Sequence, residues 1–518
     1  VDDSSLCRVL YTIHYKNRTA PKINNCAIET KLQEVGKLWR ERLTRTLLEN
    51  TTHDESHVVD LIAKYGEAFP LHYRDKYTLM DAVSDIDKLE EAQKNDTIAV
   101  DLYWQPSIDK SPRWGLKIYS HTTPIALSDM LPVMENAGLR IISENPIKVC
   151  PTNGSEEVYW IHDLTMTPKD PALLEETTLY AAKAKFEEAL HRVWSSEMEN
   201  DSLNTLLVSA KMSWRDITIL RCYLRYMKQT SFSYSQDYIE AAITAHPKTA
   251  THLVALFHAW HNPIHKKDAA MKAAGEALAI DHALESVDSY DHDTILRAVF
   301  KLINATLRTN FFLSSKQEPY KPAMSIKIDS REIPFLPEPR PYREIFVYAP
   351  RFEAIHLRGD VIARGGLRWS DRPEDFRTEV LGLMKAQSVK NSVIVPMGAK
   401  GGFTVKNPPT DGSRQAFLDE GIACYKLFIR SMLDITDNRV GKRVVTPKNV
   451  MRRDGDDPYL VVAADKGTAT FSDIANGISL EYDHWLGDAF ASGGSAGYDH
   501  KKMGITARGA WESVKRLF

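Results

Sequence analysis

Lys400 stands in GAKGGF with small residues on both sides, and Asp465 closes the apolar run PYLVVAAD. A lysine sheltered from water beside other cations gives up its proton more readily, and a neighbouring carboxylate can accept or relay it. Arg364, directly ahead of Gly365 and Gly366, and Lys390 supply two further cations. Three cations and one acid describe a pocket for an anionic substrate with more than one carboxylate. A neutralised lysine within it suits chemistry at an amino or keto carbon. Each group also has a bland reading: a lone lysine is usually solvated, Asp465 fits the cap of a following helix, and Arg364 fits a surface position beside a turn.

These groups need elements to position them. The stretch from Arg364 to Lys400, RGGLRWSDRPEDFRTEVLGLMKAQSVKNSVIVPMGAK, predicts a Gly-Gly turn, then an amphipathic helix that buries Phe376, Val380, Leu383, Met384 and Gln387 and ends at Lys390. Ser370 and Asp371 are placed to accept from its first free amides. Ser392 to Met397 reads as a buried strand, which puts Lys400 in the loop past the strand's carboxyl end. Pro458 to Ala464 predicts a second strand ending at Asp465. If the two strands are adjacent, both groups meet at the sheet edge where open α/β sheets bind ligands.

The remaining sequence sets bounds. A chain of 518 residues holds about three or four domains by length. With 66 basic and 69 acidic residues there is no charge excess to attract nucleic acid. No apolar run reaches the roughly 18 residues that span a membrane. Five scattered cysteines without a C-x-x-C pair support neither a disulfide framework nor a zinc site. The chain opens at Val1 without methionine or a signal-like segment, so it reads as a piece of a longer cytoplasmic protein.

In order, residues 1–96 are expected to be mainly helical, with Ala27 to Leu48 one solvent-faced helix. Residues 97–168 alternate as ββαββ, with strands at Ile98–Trp104, Leu116–Tyr119, Leu139–Val149 and Val158–Leu164 and a helix at Leu127–Asn136; this is an ACT-like α+β module, a packing domain or an effector site. Residues 169–320 read as a helical domain, including Ala172–Met198, Trp214–Met227, Tyr238–Ala245, Thr251–Trp260 and Ile295–Leu307. His258, His261 and His265 have metal-like spacing, but Pro263 breaks the helix that would align them, and they read as polar residues at a helix end with no metal. A proline-rich linker covers 321–343. An α/β catalytic substrate-binding domain follows over 344–518, with a strand at Ile345–Tyr348 and helices at Gln415–Ile435, Ser472–Tyr482 and Ala507–Phe518. In the first of these helices Phe417, Ile422, Tyr425, Phe428, Ile429 and Met432 point to the core.

RGGLRWSD, VKNSVIVPMGAKGGF, VVAADKGTATFSD and SAGYDHKKMGITARGAWESVKR resemble the large NAD-dependent glutamate dehydrogenases of bacteria, a long-chain class whose regulatory and helical regions precede the catalytic part. The resemblance is close from about Glu344 onward and looser, but co-linear, before it. It implies that Lys400 is the catalytic lysine and that Asp465 shuttles protons. It also implies that Lys390 grips the α-carboxylate of L-glutamate or 2-oxoglutarate, and that Arg364, where the family has lysine, holds the side-chain carboxylate ahead of Gly365 and Gly366. Gly398-Ala399 replaces the family's Gly-Gly-Ala, a loop one residue shorter, which puts the distance from Lys400 to Asp465 in question. NAD as cofactor, self-association as a tetramer and a small-molecule effector at the ACT-like module follow from the resemblance alone. No G-x-G-x-x-G occurs, and GGSAG at Gly493–Gly497 lacks that spacing. In the family the dinucleotide domain follows the helix that starts at Ala507, so these residues alone are expected to hold the dicarboxylate without turning it over. Two rival readings are a regulatory or assembly fragment without activity, and a phosphate-handling enzyme built on GAKGGFT. In the latter, Lys400 precedes the glycine pair where a phosphate loop needs it to follow.

Overall fold

A computed structural model describes residues 38–50, 54–105, 112–152, 154, 157–315, 318–391, 397–409, 412–468, 470–492, 494–495 and 503–518. The chain divides into two compact units, one of residues 1–99, 119–124 and 146–161 and one of the rest.

In the first unit, helices Trp39–Asn50, Glu55–Tyr65, Leu71–Lys76 and Leu79–Asn95 bury Leu43, Leu47, Leu61, Tyr65, Ile86 and Leu89 in one core. The long helix expected over Ala27–Leu48 starts at Trp39 within the described residues, and 27–37 lie outside them. Its partner Leu79–Asn95 is fixed by a capping box, in which Thr78 accepts from the Asp81 amide and Asp81 accepts from Thr78. Asp85 is buried there and accepts from Tyr73 at 2.5 Å and Tyr119 at 2.7 Å, so its charge is fully hydrogen-bonded.

The four strands β1 (Ala99–Gln105), β2 (Arg113–His121), β3 (Leu139–Val149) and β4 (Tyr159–Pro168) pair in the order β1-β2-β4-β3, with helix Leu127–Asn136 between β2 and β3 in sequence. Period-2 alternation made these elements legible.

The second unit continues with helices Glu176–Trp194, Trp214–Lys228, Gln236–Thr244, Pro247–His261, Ala269–Leu284 and Tyr290–Ala305. The run predicted as Ile295–Leu307 stops at Ala305. Thr306 turns its hydroxyl back to the Leu302 carbonyl, and the next residues extend as β5 (Thr306–Thr309). The helical domain expected to reach residue 320 therefore ends earlier. The stretch expected to be a linker over 321–343 contains β6 (Met324–Ile328), whose five residues are all buried. A short apolar run between prolines gave no sign of this, because its register comes from β5 and β7 rather than from its own length.

From there the chain builds a mixed sheet with β7 (Arg343–Ala349), β8 (Phe352–Arg358), β9 (Ala363–Arg364), β10 (Gly366–Trp369), β11 (Met397–Val405), β14 (Val462–Ala464) and β15 (Ala491–Ser492). Its order is β15-β14-β10-β11-β8-β7-β6-β5, with β9 beside β11. Strands β12 (Asn438–Val440) and β13 (Arg443–Val445) form a separate hairpin. One face of the large sheet packs Leu367, Phe403 and Val462 against Tyr425, Phe428, Ile429 and Met432 of helix Arg414–Leu433 and Ile478 of helix Ser472–Glu481. Phe417, predicted for this core, is 46% exposed and stacks on Trp369 at 4.9 Å instead. Among the described residues no helix is long and apolar enough to cross a membrane.

Helix Phe376–Asn391 covers part of the sheet's other face. It buries Phe376, Val380, Leu381 and Met384, while Leu383 and Gln387 are only half-buried, a register shifted from that predicted. Its start is fastened by Arg377, which donates to Glu344 of β7 at 2.9 and 2.5 Å; Glu344 also accepts from Tyr226 at 2.9 Å. Arg377 and Glu344 are both buried, so removing one leaves an uncompensated charge. Arg377→Met is expected to cost about 3–5 kcal/mol in urea unfolding, and the pair Arg377→Met with Glu344→Leu much less.

Candidate active site

Lys400 lies within β11, not in a loop beyond it, and its side chain is 8% exposed. The glycines around it read as a loop because the sequence shows neither the packing of the predicted helix on them nor the strands beside them. They are strand residues under close approach. A Cβ on Gly398 would stand 2.5 Å from the Ser388 amide nitrogen and 2.8 Å from the Met384 carbonyl, and one on Gly402 would meet Val380 at 2.8 Å. Helix Phe376–Asn391 therefore lies directly on these glycines. The strand predicted over Ser392–Met397 is described only from Met397; residues 392–396 lie outside the described residues.

Asp465 follows the last residue of β14, as expected, but β14 and β11 are not neighbours. Strand β10 runs between them, parallel to both, pairing Leu367 with Gly401 on one side and with Ala464 on the other. One step back in that register, Gly366 falls between Lys400 and Ala463. With no side chain at Gly366 to intervene, the ammonium of Lys400 reaches the Asp465 carboxylate at 2.7 Å. A Cβ on Gly366 would itself meet the Ala463 carbonyl at 2.8 Å. The shortened Gly398-Ala399 segment thus leaves Lys400 in contact with Asp465.

Side-chain alternation extends the site along the same face. Arg364 pairs with Gly398 in the β9–β11 register, two residues before Lys400, and is half-buried. Arg368, the next but one after Gly366, donates to Asp465 at 2.9 Å and to Glu379 at 2.8 Å. Ser370 donates to the other Glu379 oxygen at 2.6 Å and accepts from the Arg372 amide, so it does not cap the helix as predicted. Neither Arg368 nor Glu379 was singled out from the sequence, although the two-residue step from Gly366 to Arg368 was the available signal. Lys390 sits one residue before the helix end, and the Gly398 amide donates to Ser388 in the same last turn at 3.1 Å. The Lys390 side chain lies outside the described residues.

Burial alone would push the Asp465 carboxyl up, but hydrogen bonds from Lys400 and Arg368 outweigh it and hold the carboxyl below the usual carboxylate range. Thr468 fixes the turn behind it by accepting from the Asp465 amide at 3.0 Å and donating to the Leu367 carbonyl at 2.7 Å. His356, on β8 beside Gly401, is buried, and burial drives its imidazole down to about 3, so it stays neutral next to the lysine strand. A cavity of about 430 Å³ opens at the carboxyl ends of β10 and β14, walled by Trp369, Ser370, Asp371, Phe417, Lys466 and Gly467. Neither Lys400 nor Asp465 lines it.

The other singled-out groups go elsewhere. His258 binds Asp216 at 2.9 Å, His261 is buried against Phe257, and His265 binds Lys272. In GGSAG the Ser495 amide and hydroxyl donate to Asp473 at 2.7 and 2.9 Å; Gly493, Ala496 and Gly497 lie outside the described residues.

Comparison with known proteins agrees with this architecture. Residues 279–518 match the model of the bacterial NAD-glutamate dehydrogenase catalytic domain. Residues 198–263 match glutamate dehydrogenase helical motif 3, residues 97–179 its ACT3 domain, and residues 50–92 its helical motif 2. The catalytic match thus begins in the last two helices of the helical run, consistent with β5 and β6 belonging to the sheet. By these matches the chain is similar to the large bacterial NAD-glutamate dehydrogenases from helical motif 2 through the catalytic domain. It is 45% identical over its whole length to the NAD-specific glutamate dehydrogenase of Halomonas elongata and 45% to that of Pseudomonas aeruginosa, covering 32% of each. It is 43% identical over 96% of its length to that of Mycobacterium tuberculosis, covering 30%. The chain spans about a third of the length of these relatives.

Proposed function

We propose that this chain carries the glutamate-binding part of an NAD-dependent glutamate dehydrogenase, which converts L-glutamate and water reversibly to 2-oxoglutarate and ammonium. The observation that carries this reading is the 2.7 Å contact between a nearly buried lysine and a carboxylate across a glycine. Arg364 takes the side-chain carboxylate and Lys390 the α-carboxylate, with Gly365 and Gly366 keeping that floor open. Two such anchors fix the Cα hydrogen in one direction, which supplies the orientational part of the rate. NAD, when bound, accepts the hydride; no described residue carries a dinucleotide fingerprint, and none is assigned to holding it. Once the Cα–H bond is broken, Lys400 takes a proton from water as the oxygen attacks the iminium carbon, and Asp465 passes protons to and from Lys400. Collapse of the carbinolamine then breaks the C–N bond and releases ammonia, which leaves as ammonium with the proton returned from the pair. We further assign the protein to the cytoplasm, as a homo-oligomer, tetrameric by resemblance, with a small-molecule effector at the ββαββ module.

Arg364→Ala and Lys390→Ala are each expected to raise the KM for glutamate by about 10- to 100-fold, the loss of one charge-assisted carboxylate contact. NADH absorbance in the intact enzyme checks this. An unchanged KM in both variants would remove the assignment.

Arg368→Gln removes one of the two cations that depress the Asp465 pKa, so the acid limb of kcat against pH moves to higher pH. Stabilisation of ionised Asp465 is fully present above the ordinary carboxylate range and is lost as pH falls through its lowered value. With Arg368 gone, that loss begins at higher pH.

A further inference from the structure

A second cavity, of about 460 Å³, lies away from Lys400, where helix Trp214–Lys228 meets the β7–β8 turn and helix Arg414–Leu433. Part of its wall is apolar and aromatic, formed by Met198, Trp214, Phe311, Tyr320 and Leu427, and the rest is polar or charged. Arg215 stands in this wall with its guanidinium 4.2 Å from the Phe311 ring and 5.4 Å from that of Tyr320. Its other contact is a hydrogen bond of 2.5 Å to the Phe311 carbonyl. Among the described residues no carboxylate lies within ion-pairing distance of it. The other charges of the lining are already matched: Arg351 pairs with Glu420, Glu197 with Arg192 at 2.7 Å, and Lys321 lies 3.7 Å from Asp434. Burial lowers the Arg215 pKa from its ordinary value, as expected of a cation whose lost hydration is not fully replaced. A guanidinium that keeps spare N–H donors between two rings, at the edge of an apolar space of this size, is a carboxylate-recognition arrangement.

We propose that this cavity is a second ligand site, separate from the glutamate pocket, that takes a small monocarboxylate with a planar apolar body: the carboxylate on Arg215 and the body between Trp214, Phe311 and Tyr320. Its wall includes Tyr348, Ala349, Pro350 and Arg351, the turn that joins β7 to β8, and β8 pairs directly with the strand that carries Lys400. An occupant is therefore two strands from the catalytic lysine through continuous backbone pairing.

The test is calorimetric titration of 3-phenylpropionate and its neutral amide into the full 518-residue chain and into its Arg215→Gln, Arg215→Lys and Lys400→Ala variants. The expected result is binding of the acid, at least about tenfold weaker binding of the amide and to Arg215→Gln, intermediate binding to Arg215→Lys, and no change with Lys400→Ala. Hydrogen exchange should slow at Trp214–Thr218 and Tyr348–Arg351. No binding of the acid at millimolar concentration overturns the proposal, as does equal binding of acid and amide or indifference to Arg215→Gln. Loss of binding with Lys400→Ala places the acid in the glutamate pocket instead and overturns it too. Because Lys400 and Arg215 are read separately, failure here leaves the dehydrogenase reading untouched.

Discussion

Replacing Lys400 with alanine in the intact enzyme is expected to lower kcat for the proposed glutamate oxidation by about 10³-fold, within the range of a positioned acid–base group, while the chain stays folded. Lys400 is the only titratable side chain between Gly398 and Gly402, and it meets the Asp465 carboxylate at 2.7 Å, so no neighbour on its own strand can substitute. Arginine at the same position keeps a positive charge but not a readily exchanged proton, and Lys400→Arg is expected to recover little. Rapid-mixing measurement of NADH formation separates this loss of rate from a loss of substrate affinity. A Lys400→Ala enzyme that retains a tenth of its kcat would end the assignment of Lys400 to the chemical step.

The second large effect is on the backbone. Gly365→Ala places a Cβ 1.5 Å from the Ala399 carbonyl oxygen and 2.4 Å from its carbon, and both belong to the strand that carries Lys400. A carbonyl in a sheet cannot swing aside as a side-chain tip can. The β9–β11 and β10–β11 pairings must therefore separate. The expected cost is more than about 4 kcal/mol, in the exceptional class of single substitutions, and is seen as loss of the cooperative thermal transition or as insoluble protein. Gly382→Ala is the matched control: nothing lies within 4 Å of a Cβ there, and alanine favours a helix over glycine by about 1 kcal/mol. Comparable destabilisation by both would show that the steric account is wrong.

How far the sequence carried this reading depended on the range of the interaction that decides each element. Helix Leu127–Asn136 and strand Leu139–Val149 have the predicted ends because their own periodicity determines them. The pair Lys400 and Asp465 was legible as two polar groups attached to apolar runs. What lay between them was not, since β10 is four residues long and half glycine-flanked, with no strand signal of its own. The same limit explains Gly398 and Gly402. Glycine is written alike for a turn and for a strand crossed closely by a helix, and only Ser388, Met384 and Val380, ten or more residues away, decide between them. Arg368 and Glu379 were missed because an exposed-looking arginine becomes a site residue only when Asp465, 97 positions later, is brought beside it. Arg308 is a further case. It lies one residue past the helix end predicted at Leu307, yet it is fully buried in β5 and pairs with Asp437 at 2.7 Å and Asp454 at 2.6 Å, partners that only the folded sheet supplies.

Lys400 and Asp465 are proposed to act as one proton-handling unit, and a double-mutant cycle on kcat tests that most directly. Measured for Lys400→Ala, Asp465→Asn and the two together, kcat should fall steeply in each single variant and no further in the double one. If the two losses multiply, the residues act independently and the coupled pair is refuted.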